Sequence, residues 1–429
     1  MNAILSAAGA HHPLATATRS ATWGERLARK AVLNRLRTIT DGRIALVEGS
    51  HVIVLGSGDG DTVRVAIHDP AMWPEIAGTG SVGVGTAYIA GQWSCDDLVA
   101  LVRLFVRNRA ALDGLEGGLA RLAAPLLRLW HRSRRNTIAG SRANIAAHYD
   151  LGNDFFALWL DPSMTYSSAW WQRAEMTLAE AQTAKIDRLC QQLDLRPEHH
   201  LLEIGSGWGA LAIHAAKHYG CRVTSTTISL RQQELAQERV RAAGVSDRVE
   251  IVLRDYRELT GSYDRIVSVE MIEAVGQQYY GAYFATCAHL LRPDGLLAIQ
   301  AITIAERQFK PALKAVDYIQ RYVFPGCCIP SLGALTTACA GSDLDVVDLH
   351  DLTPHYARTL GEWRHAFHQR SGEVTALGYS ADFRRLWDFY LAYCEGGFAE
   401  RAIGCVQLVF ARGAWRSATQ HAQNRAAAL

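Results

Sequence analysis

Residues 201–209 read LLEIGSGWG, and this stretch determines how the rest of the chain is interpreted. It begins with Leu201-Leu202 and Glu203-Ile204, breaks at three closely spaced glycines, and leads into a helical pattern from Ala210. The pattern predicts a buried parallel strand, a tight turn and a helix. Glycine lets the backbone of such a turn approach a ligand, because it has no Cβ and tolerates positive φ. The turn alone is weak evidence for a nucleotide-like ligand, and a tight turn without a ligand is the alternative.

Strands and helices alternate through the second half of the chain. Further strands are predicted at 222–226, 248–254, 265–270 and 295–304, with helices at 230–243 and 279–291. This alternation predicts an α/β fold with a doubly wound, mostly parallel Rossmann-like sheet. Residues 406–411 are predicted to add a terminal antiparallel strand. Ligands in such sheets bind at the carboxyl ends of the strands, so the chemistry is expected there.

Composition excludes several classes of function. The chain has 429 residues, 20% of them charged, and a net charge of +2, so no global field favours nucleic acid. Nine cysteines are scattered without a CxxC pair, which predicts reduced thiols and no metal site. We find no apolar run that would span a bilayer and no signal peptide. These features predict a cytoplasmic protein.

The predicted organisation has four parts. Residues 1–20 are expected to be a disordered leader, 21–130 a small α+β domain, 131–147 a basic linker, and 148–429 the catalytic domain with helical insertions that form an acyl channel.

Two features of the small domain lead to specific expectations. Strands at 43–55 and 62–67 are predicted to be joined by a hairpin turn at 56–61. The apolar segment 115–130 has basic flanks, which predicts a helix lying on an anionic membrane surface. A core helix with a solvated basic end is an equal alternative.

Two features distinguish a methyl-donor site from a dinucleotide site. The glycine stretch is GxGxG rather than GxGxxG, and the second strand ends in Thr227-Ile228-Ser229 without an acid. Asp255, after the third strand, is instead available to an adenine. The pattern resembles class I S-adenosylmethionine (SAM) methyltransferases more than the alternative, a dehydrogenase.

Several further motifs narrow this resemblance. Residues 147–171 read AHYDLGNDFFALWLDPSMTYSSAWW, and TTISLRQ, RDYREL, DRIVSVEMIEAVG and YVFPGCCIPS follow EIGSGWG in order. With these motifs, the chain from about Trp23 onward resembles the cyclopropane-fatty-acyl-phospholipid synthases.

The resemblance implies an enzyme that methylates the cis double bond of an unsaturated acyl chain in a membrane phospholipid. SAM would donate the methyl group, and a bound bicarbonate ion would remove a proton from the resulting carbocation to close a cyclopropane. An alkene is a poor nucleophile, so the methyl donor must be held close and in line. The cation must be shielded from water and surrounded by aromatic faces or fixed negative charge.

The resemblance also assigns site residues. Those matching SAM-binding positions are Tyr166, Ser167, Glu203, Gly205, Gly207, Trp208, Gly209, Thr227, Ser229, Gln232, Asp255 and Tyr256. Those matching the bicarbonate cage are Glu273, Tyr356, the backbone of Ile302, Ser168 and Gln300.

Two of these cage assignments carry a qualification, and so does a further matching residue, Cys394. Ser168 stands where a cysteine is usual in the family, and Gln300 where a histidine is usual. Both can still donate hydrogen bonds to an anion. Cys394 matches a cysteine often marked as catalytic, but the reaction needs no thiolate, so a buried small residue is the alternative.

The resemblance implies peripheral association with the inner face of the membrane, with the small domain presenting lipid and a homodimer left open. Two alternatives to cyclopropane formation remain. The same cation could lose a different proton, giving a methylene or methyl-branched chain, which the departures at Ser168 and Gln300 motivate. A lipid-binding or scaffolding protein without catalysis is the other.

Overall fold

The computed structural model describes residues 20–60, 62–109 and 151–416. These residues form two compact units, one made of residues 20–109 with Ala381–Phe389 and the other of the remainder. The predictions for the leader, for the membrane-facing helix at 115–130 and for the basic linker at 131–147 fall outside the described residues.

The first unit combines a four-stranded sheet with helices. Its helices are α1 Trp23–Leu36, α2 Met72–Thr79, α3 Ser81–Ile89 and α4 Leu98–Arg107. Its strands are β1 Arg43–Glu48, β2 His51–Leu55, β3 Thr62–Ile67 and β4 Trp93–Cys95, in the order β2-β1-β3-β4. A capping box between Thr22 and Glu25 begins α1.

The hairpin predicted at 56–61 is wrong. The hairpin turn instead lies at Gly49 and Ser50, where Glu48 pairs with His51 and the φ of Gly49 is +58°. The segment 43–55 is therefore two strands, and β1 pairs with β3 in parallel. The glycine-rich loop joins β2 to a strand that is not its neighbour.

The second unit contains a seven-stranded sheet in the order β10-β11-β9-β8-β5-β6-β7. Its strands are β5 His200–Ile204, β6 Arg222–Thr227, β7 Val249–Leu253, β8 Tyr263–Val269, β9 Leu291–Ile304, β10 Leu344–Asp351 and β11 Ile403–Arg412. Five strands from β9 to β7 run parallel, β11 runs antiparallel to them, and β10 pairs antiparallel with β11 and so shares the direction of the five. The predicted doubly wound, mostly parallel sheet is confirmed, including its antiparallel terminal strand.

Helices follow and flank these strands. Those of the second unit are α5 Asn153–Ala157, α6 Leu178–Gln192, α7 Ala210–His214 (continued by one π turn, Ala215–Tyr219), α8 Leu230–Ala242, α9 Tyr280–Leu290, α10 Glu306–Ala312, α11 Tyr318–Tyr322, α12 Leu332–Cys339, α13 Thr353–Gln369 and α14 Ser371–Ala376. Helix α15, Ala381–Ala399, belongs to the first unit as far as Phe389 and to the second unit from Tyr390. No helix in the described ranges is both long and apolar enough to cross a membrane.

Apolar side chains cover both faces of the large sheet. In β5, Leu201 joins a core cluster with Leu211 of α7, whereas Leu202 joins the opposite cluster with Phe284 of α9. Successive strand residues point to opposite faces, so a strand buried on both sides reads as a continuous apolar run. This double burial explains why LLEI is a strand and fixes the glycine turn at its carboxyl end.

The turn after β5 depends on three glycines with positive φ. These φ values are +99° at Gly205, +47° at Gly207 and +86° at Gly209. The N–H groups of Gly205 and Ser206 both donate to the carbonyl of Thr226, at 3.0 and 2.9 Å. The turn is thereby tied to the end of β6.

The first prediction compares Gly209→Ala, in the turn before α7, with Gly244→Ala, in the turn after α8. Both glycines have positive φ, so both substitutions strain the backbone. A Cβ at Gly209 would also lie 3.3 Å from the Cβ of Ala236, whereas one at Gly244 would meet nothing within 4 Å. We expect Gly209→Ala to lower the free energy of unfolding in urea by about 1–3 kcal/mol more than Gly244→Ala. Equal losses would contradict this packing.

Candidate functional site

A cavity of about 190 Å³ lies at the carboxyl ends of β5, β6, β7 and β8, where the parallel sheet was predicted to bind its ligand. Its lining comes mainly from the turns that follow these strands and from the segment before α6. The predicted SAM-binding residues on its wall are Tyr166, Ser167, Glu203, Gly205, Gly207, Trp208, Thr227, Gln232, Asp255 and Tyr256.

Two predicted SAM-binding residues do not line the cavity. Gly209 is the N-cap of α7 and packs beside Ala236. Ser229 caps α8, because its hydroxyl accepts from the backbone N–H of Gln232 at 3.4 Å. Both residues support the walls of the cavity from behind.

The wall formed after β6 is braced by side-chain hydrogen bonds. The hydroxyl of Thr227 donates to the side-chain carbonyl of Gln232 at 2.9 Å and accepts from the N–H of Ser229 at 3.1 Å. Thr227 and Gln232 are therefore held in fixed rotamers before any ligand binds.

Asp255 follows β7, as the sequence predicted, and only 2% of its surface is exposed. One carboxylate oxygen accepts from the backbone N–H and Nε of Arg257 at 3.0 and 2.8 Å, and the other accepts from its terminal nitrogen at 2.7 Å. Arg257 thus holds the Asp255 carboxylate in a fixed orientation on the cavity wall.

Aromatic rings enclose the cavity beside the glycine turn. The indole N–H of Trp208 donates to the side-chain oxygen of Asn153 at 2.8 Å, which fixes the ring against Phe156. The ring of Tyr166 lies 5.3 Å from that of Trp363, and its hydroxyl is 2.7 Å from the hydroxyl of Tyr390. These contacts create a wall of rigid π faces.

A buried carboxylate, that of Glu270, forms the centre of a second cluster. Its Oε1 accepts from the backbone N–H of Ser168 at 2.9 Å and from Nε2 of Gln300 at 2.8 Å. Its Oε2 accepts from the hydroxyl of Tyr356 at 2.6 Å. Three residues predicted to surround a bicarbonate ion therefore converge on this side chain, which also lines the cavity.

The backbone of Glu270 is strained. Its φ is +49°, in the left-handed region that non-glycine residues rarely adopt, and its N–H donates to the carbonyl of Gln300 at 2.7 Å. Such strain persists only where the surrounding structure imposes it, and it concentrates at functional sites. Here it turns the side chain inward at the end of β8.

The orientation of the Gln300 amide is determined by two residues behind it. Nε of Arg188 donates to Oε1 of Gln407 at 3.0 Å, and Nε2 of Gln407 donates to Oε1 of Gln300 at 3.0 Å. Because a guanidinium can only donate, Gln407 must turn its oxygen toward Arg188 and its nitrogen toward Gln300. Gln300 must in turn direct its nitrogen toward Glu270. Gln300 consequently presents N–H, not oxygen, to Glu270.

Glu273 lies close to this cluster but plays a different part. Its Oε1 accepts from the backbone N–H of Ile302, the other predicted cage member, at 2.5 Å, and its buried Oε2 has no partner among the described residues. Burial and the charge of Glu270 raise the pKa of Glu273 to about 8. Near neutral pH Glu273 is therefore mainly an uncharged acid.

Glu270 retains its negative charge more readily than Glu273. Burial raises the pKa of Glu270, but its three hydrogen-bond donors and Lys185 oppose that increase. Burial lowers the pKa of Lys185 to about 8, and its Nζ donates to the hydroxyl of Ser167 at 2.7 Å. Burial also raises the pKa of Glu203 to about 8, although the hydrogen bond that it accepts from Ser225 partly opposes the increase.

Cys394 is not among the residues that line the cavity or donate to Glu270. Burial raises the pKa of its thiol, which disfavours a nucleophilic thiolate. The thiol near the cluster is that of Cys405, whose Sγ is 3.8 Å from Oε1 of Glu270. The catalytic role assigned to Cys394 stays a prediction.

Sequence reasoning assigned no role to Glu270, Lys185, Gln407 or Arg188. A signal existed only for Glu270, an acid placed at the carboxyl end of a predicted strand three residues before Glu273. The Ser168 prediction also changes in detail, because its backbone N–H contacts Glu270 while its hydroxyl donates to the carbonyl of Ala169.

The chain is similar to known lipid-modifying methyltransferases. Residues 137–408 match the family described as mycolic acid cyclopropane synthetase. The tuberculostearic acid methyltransferase UfaA1 of Mycobacterium tuberculosis is 41% identical over 383 residues, covering 86% of this chain and 88% of that protein. The cyclopropane-fatty-acyl-phospholipid synthase of Escherichia coli (strain K12) is 36% identical over 370 residues, covering 86% and 92%.

A solved structure is similar in fold as well as sequence. The mycolic acid cyclopropane synthase CmaA1, in complex with SAH and CTAB, superimposes with a TM-score of 0.60 and 33% identity. The match covers 63% of this chain and 98% of that one.

The second prediction separates the wall of the cavity from its support. Gln232→Ala removes a lining side chain, so we expect the Kd for SAM to rise roughly 3–10-fold, as for the loss of one hydrogen bond. Ser229→Ala removes the cap of α8, at a cost of about 1 kcal/mol of stability, and should leave that Kd nearly unchanged. Isothermal titration calorimetry measures the Kd for SAM of both variants. An equal loss of affinity in the two would contradict the assignment of Gln232 to the wall and Ser229 to its support.

Proposed function

Because the chain belongs to the mycolic acid cyclopropane synthetase family and is a SAM-dependent methyltransferase, we propose that it methylates the double bond of an unsaturated acyl chain in a phospholipid, forming a cyclopropane. The observation that carries this proposal is the position of Glu270. One buried carboxylate lies on the wall of the cavity at the strand ends and accepts hydrogen bonds from three separate segments.

The residues present fit SAM. Gly205 and Gly207 have no side chains to obstruct a close approach, and the acids Glu203, in β5, and Asp255, after β7, both lie on the wall. SAM supplies a methyl group on a positively charged sulfur. The turn and the two acids would hold and orient that donor, which an alkene nucleophile requires.

The aromatic wall suits the cationic stage of the reaction. Tyr166, which packs against the buried ring of Trp363, presents a π face to the cavity, and such a face attracts a cation without reacting with it. The ring of Tyr356 is stacked on Phe398, with centroids 4.3 Å apart, and its hydroxyl faces Glu270. Rings packed in this way exclude water, which would otherwise trap the cation as an alcohol.

The bicarbonate ion implied by the family resemblance does not fit these residues. Ser168, Gln300 and Tyr356 were expected to hold it, but the backbone N–H of Ser168, the amide of Gln300 and the hydroxyl of Tyr356 each donate to Glu270. A second anion at the same donors would lie against a buried carboxylate, and like charges in such a site repel strongly.

The proposed substrate implies a location. A phospholipid acyl chain is reached from a bilayer surface, so we include peripheral membrane association at the cytoplasmic face in the proposal. The small domain as a lipid-presenting module and a homodimer remain proposals of the same kind.

A second product is favoured by one finding. UfaA1, at 41% identity, is named for tuberculostearic acid and not for a cyclopropane. The same methylation with loss of a different proton would give a methylene chain, so methylene formation is the second candidate. A methyl-branched chain would need a reductant in addition.

The product itself decides between these candidates. The purified chain would be incubated with methyl-labelled SAM and vesicles of dioleoyl phosphatidylglycerol and dioleoyl phosphatidylethanolamine. We expect one methyl-derived carbon per modified chain and cyclopropane methylene signals in the NMR spectrum of the lipid.

Each alternative leaves its own signature in that experiment. A terminal methylene signal without a cyclopropane signal would replace the first candidate by the second. Binding to the vesicles without release of SAH would indicate the lipid-binding protein that lacks catalysis.

A further prediction concerns Tyr356→Phe, which removes a charge-assisted hydrogen bond to Glu270 and leaves the ring in place. We expect turnover to fall roughly 10–100-fold while the Kd for SAM stays the same. Tyr263→Phe is the control, because Tyr263 lies at the amino-terminal end of β8, whereas the cavity lies at the carboxyl end. Unchanged turnover in Tyr356→Phe would remove this residue from the site.

A further inference from the structure

The donors that a family member would be expected to use for a bound anion are already engaged by the chain itself. Ser168, Gln300 and Tyr356 all direct N–H or O–H groups at Glu270, at 2.6–2.9 Å. The carboxylate that they bind is covalently part of the protein, and it lies part-buried on the wall of the cavity.

We propose that the carboxylate of Glu270 replaces bicarbonate as the catalytic base that removes the proton from the methylated acyl chain. This inference rests on the proposed function for its substrate. It differs from the mechanism implied by the family resemblance, because the chain would carry its own base and need no dissociable ion.

The hydrogen bonds of Glu270 leave one oxygen able to accept a proton. Oε1 receives the N–H groups of Ser168 and Gln300, with the thiol of Cys405 at 3.8 Å. Oε2 receives a single hydrogen bond, from Tyr356. Since each carboxylate oxygen has two acceptor positions, Oε2 is the basic atom.

The alternative base within the chain, Glu273, fits less well. It does not line the cavity, and the neighbouring negative charge of Glu270 favours its protonated form. Two adjacent buried carboxyls of this kind divide into one charged and one neutral member. The charged member is Glu270, which has the donors and Lys185 beside it.

The proton and electron balance is closed without a further reactant. The alkene π pair forms a bond to the methyl carbon as the carbon–sulfur pair returns to sulfur, which becomes neutral. Oε2 of Glu270 then takes a proton from that carbon, and the released C–H pair forms the second ring bond. The neutral acid returns its proton to solvent after product release, and one proton is produced per turnover.

Binding of 13C-labelled bicarbonate provides a test that does not depend on activity. Glu270→Gly is suited to it, because a glycine adopts the φ of +49° without strain and leaves the three donors facing a space the size of a carboxylate. We expect saturable binding by NMR in Glu270→Gly and none in the unaltered chain. Glu270→Gln, which fills the same space with a neutral amide, is the matched control and should not bind either.

Turnover gives the second measurement, with the same phospholipid vesicles and with bicarbonate removed or added. The unaltered chain should turn over equally in both conditions. Glu270→Gln and Glu270→Gly should lose roughly 10²–10⁴-fold, the usual contribution of a general base. Added bicarbonate should restore about tenfold or more in Glu270→Gly and nothing in Glu270→Gln.

Two results would overturn the proposal. One is stoichiometric bicarbonate binding by the unaltered chain, and the other is turnover of that chain that stops when bicarbonate is removed. If the unaltered chain released no SAH with these vesicles, the proposed function would fail. The binding comparison would still decide whether Glu270 occupies the anion position.

Discussion

The hydrogen bonding of one buried carboxylate connects the parts of the catalytic unit. Glu270 lies 102 positions from Ser168, 30 from Gln300 and 86 from Tyr356 along the chain, and it accepts a hydrogen bond from each. A carboxylate removed from water is costly unless such donors are supplied. The end of β8, the middle of β9, the start of α13 and the segment before α6 must therefore assemble together.

The large sheet could be predicted because its strands are buried on both faces. LLEI is buried at every residue, and the neighbouring strands RVTSTT and YDRIVSV are largely buried and rich in β-branched residues, which favours strands. β10 escaped prediction for the opposite reason. Only Leu344 in this edge strand is buried, and backbone pairing with β11 holds the remaining, mostly exposed residues in place. The small sheet was misread because a two-residue turn at Gly49 leaves little trace in hydrophobic periodicity.

The residues of the candidate site also divide into those that local sequence could predict and those that it could not. Residues in the turns after β5 to β7 could be placed from local patterns, because parallel strands bring their carboxyl ends to one edge. The hydrogen bond from Ser168 to Glu270 could not be predicted, since it comes from a backbone N–H and not from the side chain. Glu270 was visible as an acid at a strand end, but its role follows from a positive φ and from distant donors. Neither property can be derived from neighbouring residues in sequence.

The series Arg188, Gln407 and Gln300 has a consequence for how the site responds to its surroundings. An imidazole at position 300 would exchange donor for acceptor as it titrates near neutrality. The amides of Gln407 and Gln300 do not titrate and so have no second state of this kind. Reversing them would direct the nitrogen of Gln407 at Arg188, whose guanidinium cannot accept a hydrogen bond. The polarity of this hydrogen-bonded series is thus independent of acidity, whereas Lys185 and Glu273, with pKa values of about 8, still respond to pH.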